Sequence, residues 1–160
     1  MRSLAIVLAV VAVVLMLSTR DHAAVVTTVD PAVSLAEARS QAGYPVLAPV
    51  GLGTRWRPTS VRVRRNGAAL EWHIGYVTPR GDYAGLEQSD GPPGVFLDGF
   101  ASGGKPTGVV RIGDRSWRRL EGGRPEPRAL LLREGPVTTL VVGGAAWSEL
   151  DALAAALRTG

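Results

Sequence analysis

Cysteine is absent from this 160-residue chain. That excludes disulfides, thiolate nucleophiles and cysteine-bound zinc. Histidine is nearly absent too. His22 and His73 lie far apart, neither in an acidic cluster, so no transition-metal site is expected. Lysine occurs once, at Lys105. The other basic residues are arginines, and the net charge is +4. Charge this small, with no clustered basic stripe, does not point to nucleic acid. No G-x-S-x-G elbow is present to hold a serine nucleophile. One stretch, GFASGGK from Gly99 to Lys105, matches a phosphate loop in part. Pro106 stands where Ser or Thr would hold magnesium, so no nucleotide and no cofactor are expected.

What the chain has is one long apolar run, LAIVLAVVAVVLML, from Leu4 to Leu17. As a helix it measures about 21 Å at 1.5 Å per residue. A hydrocarbon core is about 30 Å thick. Counting Arg2 to Thr19 brings the span to about 27 Å. Residues 1–19 are read as one transmembrane signal anchor, with the N-terminus cytoplasmic and the rest exported at the cell membrane. A cleaved signal peptide is the alternative, although no small residues mark a cleavage site near Met16 and Leu17. A third reading is a buried helix of the folded domain. Residues 20–33 follow as a juxtamembrane linker, and 34–160 as one extracytoplasmic domain.

The rest of the chain reads as α+β. SLAEARSQAG starts a short helix at Ser34, with Glu37 placed for a capping box. A Pro- and Gly-rich lead-in follows, anchored by Trp56. Asn66-Gly67 is a strong hairpin signal. Beyond it Ala68, Leu70, Trp72, Ile74 and Tyr76 share one strand face. Glu71, His73 and Gly75 share the other. TPRGD turns the chain into a third strand, YAGLEQS. A loop then leads to a short helical piece with Phe96 and Phe100. Further hairpins are expected at Gly113-Asp114 and Glu134-Gly135. The last segment is a helix with Leu150, Leu153 and Leu157 on one side and Ser148 with Asp151 as a second capping box. The expected fold is an antiparallel meander of about six to seven strands, flanked by an N-terminal and a C-terminal helix and preceded by the transmembrane helix.

His73 and Glu71 invite a catalytic reading, because a carboxylate two positions away on a strand can orient an imidazole. The plainer reading puts His73 on the less buried sheet face. The acids Asp82, Glu87, Asp90 and Asp98 read as turn and loop residues. Arg62 and Arg64 on one strand, and Arg118 beside Trp117, read as edge protection or as contacts for anionic head groups or polymers. His73, Arg62, Arg64 and Arg118 are therefore the binding candidates, with no catalytic and no metal residue expected. The expected function is a non-catalytic binding module of the cell envelope. Its partners would be the bilayer, through the N-terminal helix, and an envelope protein, lipid or anionic polymer. The alternative is a carrier or sensor holding a lipid between sheet and helix; a hydrolase is the least favoured reading.

Several motifs together resemble an actinobacterial family, domain of unknown function 4245. They are WRPTS (Trp56 to Ser60), WHIGYVTP (Trp72 to Pro79), YAGLEQS (Tyr83 to Ser89), IGDRSWRRL (Ile112 to Leu120) and TTLVVGGAAWSELDALAAAL. The resemblance implies one N-terminal membrane span and an extracytoplasmic domain, and transfers no functional residue. The basic stretch that usually precedes the span in this family is missing. A start site further upstream would account for that absence. Gly53 and Arg55 also depart from the expected lead-in. The layout is similar to the extracytoplasmic domains attached to anti-sigma factors, by fold-level analogy.

Overall fold

The structure is a computed structural model that describes residues 30–159. Helix α1 spans Ala32–Gln41. Strand β1 spans Leu47–Pro49, β2 Arg57–Asn66, β3 Ala69–Val77 and β4 Tyr83–Ser89. Helix α2, Pro93–Ala101, precedes β5 (Lys105–Ile112), β6 (Arg115–Glu121), β7 (Arg124–Pro125), β8 (Arg128–Glu134) and β9 (Val137–Gly143). Helix α3, Trp147–Ala156, runs directly into β10, Leu157–Thr159.

Seven strands form one antiparallel sheet in the order β2-β3-β4-β9-β8-β6-β5. This differs from a single meander. The chain makes one antiparallel run, crosses to the opposite edge through α2, and returns so that β9 pairs with β4 in the centre. A second, two-stranded sheet joins β1 to β10. The lead-in was too rich in Pro and Gly to read as a strand. Its three paired residues depend on a partner more than a hundred positions away.

The expected transmembrane helix is corrected. No helix among the described residues is long and apolar enough to cross a membrane. The run from Leu4 to Leu17, the 1–19 segment and most of the 20–33 linker lie outside the described residues.

The Gly113-Asp114 hairpin forms as expected, since Ile112 pairs with Arg115, and the other two signals hold with a shift of one residue. The loop after β2 is Gly67-Ala68, since Asn66 pairs with Ala69. Only the glycine has positive φ, at 63°. This is the II′ pattern, with Gly at the first loop position. Likewise Gly135-Pro136 forms the loop after β8, since Glu134 pairs with Val137. Proline suits the second position because only the first needs positive φ.

Neither capping box forms. Pro31 caps α1, and Asp30 Oδ1 accepts from the Ala32 N–H at 2.9 Å, leaving Ser34 inside the helix. At α3 the cap is Ala146, and Asp151 instead accepts from Arg119 Nη2 at 2.6 Å.

Both sheet faces are covered, each by its own layer. Trp72, Ile74, Trp117, Leu130 and Val141 pack on one face with Ala38 of α1 and Leu150 and Leu153 of α3. On the opposite face Leu120, Ala129, Leu140 and Val142 pack under Phe96 and Ala101 of α2. Helix α2 lies toward the β9 side. Next to it, the same face of β2, β3 and β4 carries polar residues.

Candidate functional site

Three neighbouring strands build the site. The five-residue turn Thr78–Asp82 sets the β3–β4 register so that His73 stands directly opposite Glu87. The β2–β3 hairpin places Arg62 opposite His73 and Ser60 opposite Gly75. Strand pairs share a face, so Ser60, Arg62, His73 and Glu87 converge.

The imidazole links two of them. Its Nδ1–H donates to Glu87 Oε1 at 2.5 Å, and Ser60 Oγ–H donates to Nε2 at 2.8 Å. This tautomer is the one in which the Glu87 carboxylate oxygen accepts at Nδ1 and the Ser60 hydroxyl donates at Nε2. His73 is 5% exposed and Glu87 3%. Two expectations are thereby overturned. His73 is not on a poorly buried face, because α2 and the Tyr83 side chain lie over that side of the sheet. Glu87 is not a loop acid, because it sits in the middle of β4.

Glycine makes the convergence possible. A Cβ at Gly75 would lie 2.4 Å from Ser60 Oγ and 2.9 Å from Tyr83 Cε2. One at Gly85 would lie 2.5 Å from the Tyr83 hydroxyl. The Tyr83 ring therefore rests on two bare strand positions, and Ser60 reaches diagonally past Gly75 to the imidazole.

Burial raises the Glu87 carboxyl above the ordinary range, against the opposing pull of the His73 hydrogen bond and the nearby Arg62 charge. Burial likewise raises the Tyr83 phenol, and the Glu87 charge adds to it. The void bounded by His73, Glu87, Arg62, Arg64, Glu71 and Phe100 is only about 40 Å³. A water needs on the order of 10–15 Å³ of such space, so this void takes water and nothing larger.

Above it opens a groove of about 630 Å³ between β2, β3 and α2. Arg62, Arg64 and Glu71 line one wall, and Val95, Phe96 and Phe100 line the other. Neither Arg62 nor Arg64 has an ion-pair partner among the described residues. Glu71 instead accepts from Asn66 Nδ2 at 3.3 Å.

Of the four candidates, the structure brings together Arg62, Arg64 and His73. Arg118 stands apart on β6, four strand spacings from β3 and so about 19 Å away. There it borders a shallow depression with Val109, Ser116, Leu131 and Arg133. Ser60 and Glu87 were missed as partners of His73. Their signal was the hairpin register, countable from the turns.

A family model described as "Protein of unknown function (DUF4245)" matches residues 1–157. The chain belongs to this DUF4245 family. No curated protein and no solved structure matches it. Membership brings no activity or site residue to the DUF4245 chain, so its function must be argued from the geometry.

Proposed function

We propose that this domain is a binding module of the cell envelope whose ligand is an anionic amphiphile. The observation that carries this reading is the groove between β2, β3 and α2. Its size falls within the range of about 300–1,000 Å³ that suits small-molecule sites. Its two walls differ in kind. Arg62 and Arg64 supply two cations without ion-pair partners among the described residues, suited to a phosphate or carboxylate head. Val95, Phe96 and Phe100 supply apolar area for a chain. The lipid-carrier alternative places its pocket between sheet and helix. The face under α1 and α3 is filled by Trp72, Leu150 and Leu153, so a lipid chain would lie in the groove beside α2. The apolar run Leu4 to Leu17 in the sequence supports an extracytoplasmic location.

Calorimetric titration of the full chain with dodecyl phosphate below its micelle concentration tests this. Binding is expected, weakened at least tenfold in an Arg62→Ala/Arg64→Ala double variant and by Phe100→Asp. Inorganic phosphate should bind more weakly than the amphiphile. Equal binding of uncharged dodecyl maltoside, or unchanged affinity in the double variant, would sink the proposal.

A further inference from the structure

We propose that Ser60 is a nucleophile, with His73 as its base and Glu87 as the positioning group, in acyl transfer from carboxylic esters that carry an anionic group. This activity goes beyond the groove reading, and only its preference for an anionic group shares Arg62 with that reading. Three separate features support it.

The first is connectivity. Hydroxyl, imidazole and carboxylate are joined through opposite ring nitrogens, at 2.8 Å and 2.5 Å. This is the arrangement in which a base takes a hydroxyl proton while a carboxylate holds its tautomer. The second is the backbone at the nucleophile. Pairing passes from Pro58–Tyr76 to Ser60–Gly75 and skips Thr59. Such a bulge re-aims the side chain next to it and frees an N–H from the ladder. The Thr59 N–H, adjacent to Ser60, is assigned as the donor to a developing oxyanion. The third is access. Ser60 is half-buried on β2, the outermost strand of the sheet, so an ester can approach from the open edge while His73 stays sealed behind.

The chemistry closes on these groups. Ser60 Oγ attacks the ester carbonyl carbon as its proton passes to His73 Nε2. The C–O bond to the leaving alcohol breaks, and His73 returns the proton to that oxygen. Water then attacks the acyl–Oγ ester, giving a proton to His73. That proton passes to Ser60 as the carboxylic acid departs. Glu87 accepts the Nδ1–H throughout and gains no proton. Arg62 stands two positions along the same face, about 7 Å from Ser60. An acidic group several bonds from the scissile ester would meet it there.

The test uses the full chain with 4-nitrophenyl hydrogen adipate, neutral 4-nitrophenyl hexanoate and a fluorophosphonate probe. The adipate ester should turn over faster than the hexanoate, and Arg62→Ala should erase that preference. Ser60→Ala should lower turnover at least 100-fold, and the probe should label the Ser60 peptide. His73→Ala carries a folding risk, so Ser60→Cys supplies a second measurement. A thiol paired with His73 should be alkylated by iodoacetamide well below the pH of an ordinary thiol, near 8.5. An unlabelled Ser60 in the folded chain, a Ser60→Ala variant with wild-type turnover, or an ordinary thiol profile at position 60 would each overturn the proposal.

Discussion

His73 and Glu87 face each other directly across β3 and β4, with Nδ1 and Oε1 2.5 Å apart and both side chains buried. Burial holds the Glu87 carboxyl above its ordinary range of about 4.3. Between that value and the raised one, the folded state binds more protons than the unfolded state. Stability contributed by this group is therefore lost as pH rises through the window. The charged and titratable groups around it are His73, Arg62, Tyr83 and Glu126. Glu87→Gln removes the titration, so its urea midpoint should fall less than that of the wild type from about pH 4.3 upward. Parallel profiles for the two proteins would contradict this.

Removing the other partner should cost more. His73→Ala leaves a buried carboxylate without its donor, which destabilises by about 3 kcal/mol. The double change His73→Ala/Glu87→Leu should recover part of that loss, because no uncompensated charge remains. Urea unfolding of the two variants at neutral pH decides it. A double variant no more stable than His73→Ala would count against the argument.

Gly75→Ala puts a methyl group where Ser60 Oγ and the Tyr83 ring now lie. Neither has space to withdraw without breaking a contact: Ser60 must leave His73 Nε2, or Tyr83 must lift off the sheet. The expected cost is about 1–3 kcal/mol from overpacking. In an NMR spectrum the His73 Nε2 resonance should shift as its hydroxyl partner is displaced. Gly81→Ala has free space but a φ of 94°, so its cost should come from backbone strain and leave that resonance unmoved.

Much of this fold was legible from the chain, and the misses have identifiable causes. The alternation Leu70, Trp72, Ile74, Tyr76 does face the core, because one strand face needs only period-two patterning to be seen. The Gly113-Asp114 turn was found in place, and the other two hairpin loops were found one residue off, because Asn66 and Glu134 pair in the ladder while the glycine takes the first loop position. Ser34 and Asp151 looked like cap partners because a short-range pattern cannot register that Asp30 or Arg119 offers a competing bond. The site was the hardest part. His73 was visible as a residue, but Ser60 and Glu87 join it only through register, and burial of the second face depends on α2 folding back over β9. The β1–β10 pairing was hidden for the same reason, being fixed by tertiary closure alone.

Arg119 ties α3 to the sheet in two ways. Its Nη2 donates to Asp151, and its guanidinium lies 4.7 Å from the centre of the Trp147 ring. Both partners of the ion pair are partly solvent-exposed, at 28% and 30%, so screening limits the gain. Arg119→Ala should cost about 1 kcal/mol. Arg119→Lys should recover little, since an ammonium lacks the planar surface that stacks on indole. Thermal melts at low and high salt test this. The wild-type advantage should shrink with salt without vanishing, because the stacking part is short-ranged.

The clasp made by β1 and β10 gives the final prediction. Leu157 is 1% exposed and pairs with Pro49, while Thr159 pairs with Leu47 and is exposed. Strand β1 is fixed from its other side by the main sheet. Gln88 Oε1 accepts from the Leu47 N–H, and Trp72 Nε1–H donates to the Leu47 carbonyl, both at 2.9 Å. Leu157 therefore lies where the end of α3, the clasp and the main core meet. Leu157→Ala should cost about 2–5 kcal/mol through lost burial and the cavity left behind. Thr159→Ala should stay within about 0.5 kcal/mol. Amide exchange separates the two contributions. In Leu157→Ala the Leu47 N–H should lose protection along with α3, whereas an effect confined to β10 would show that the clasp and the helix unfold independently.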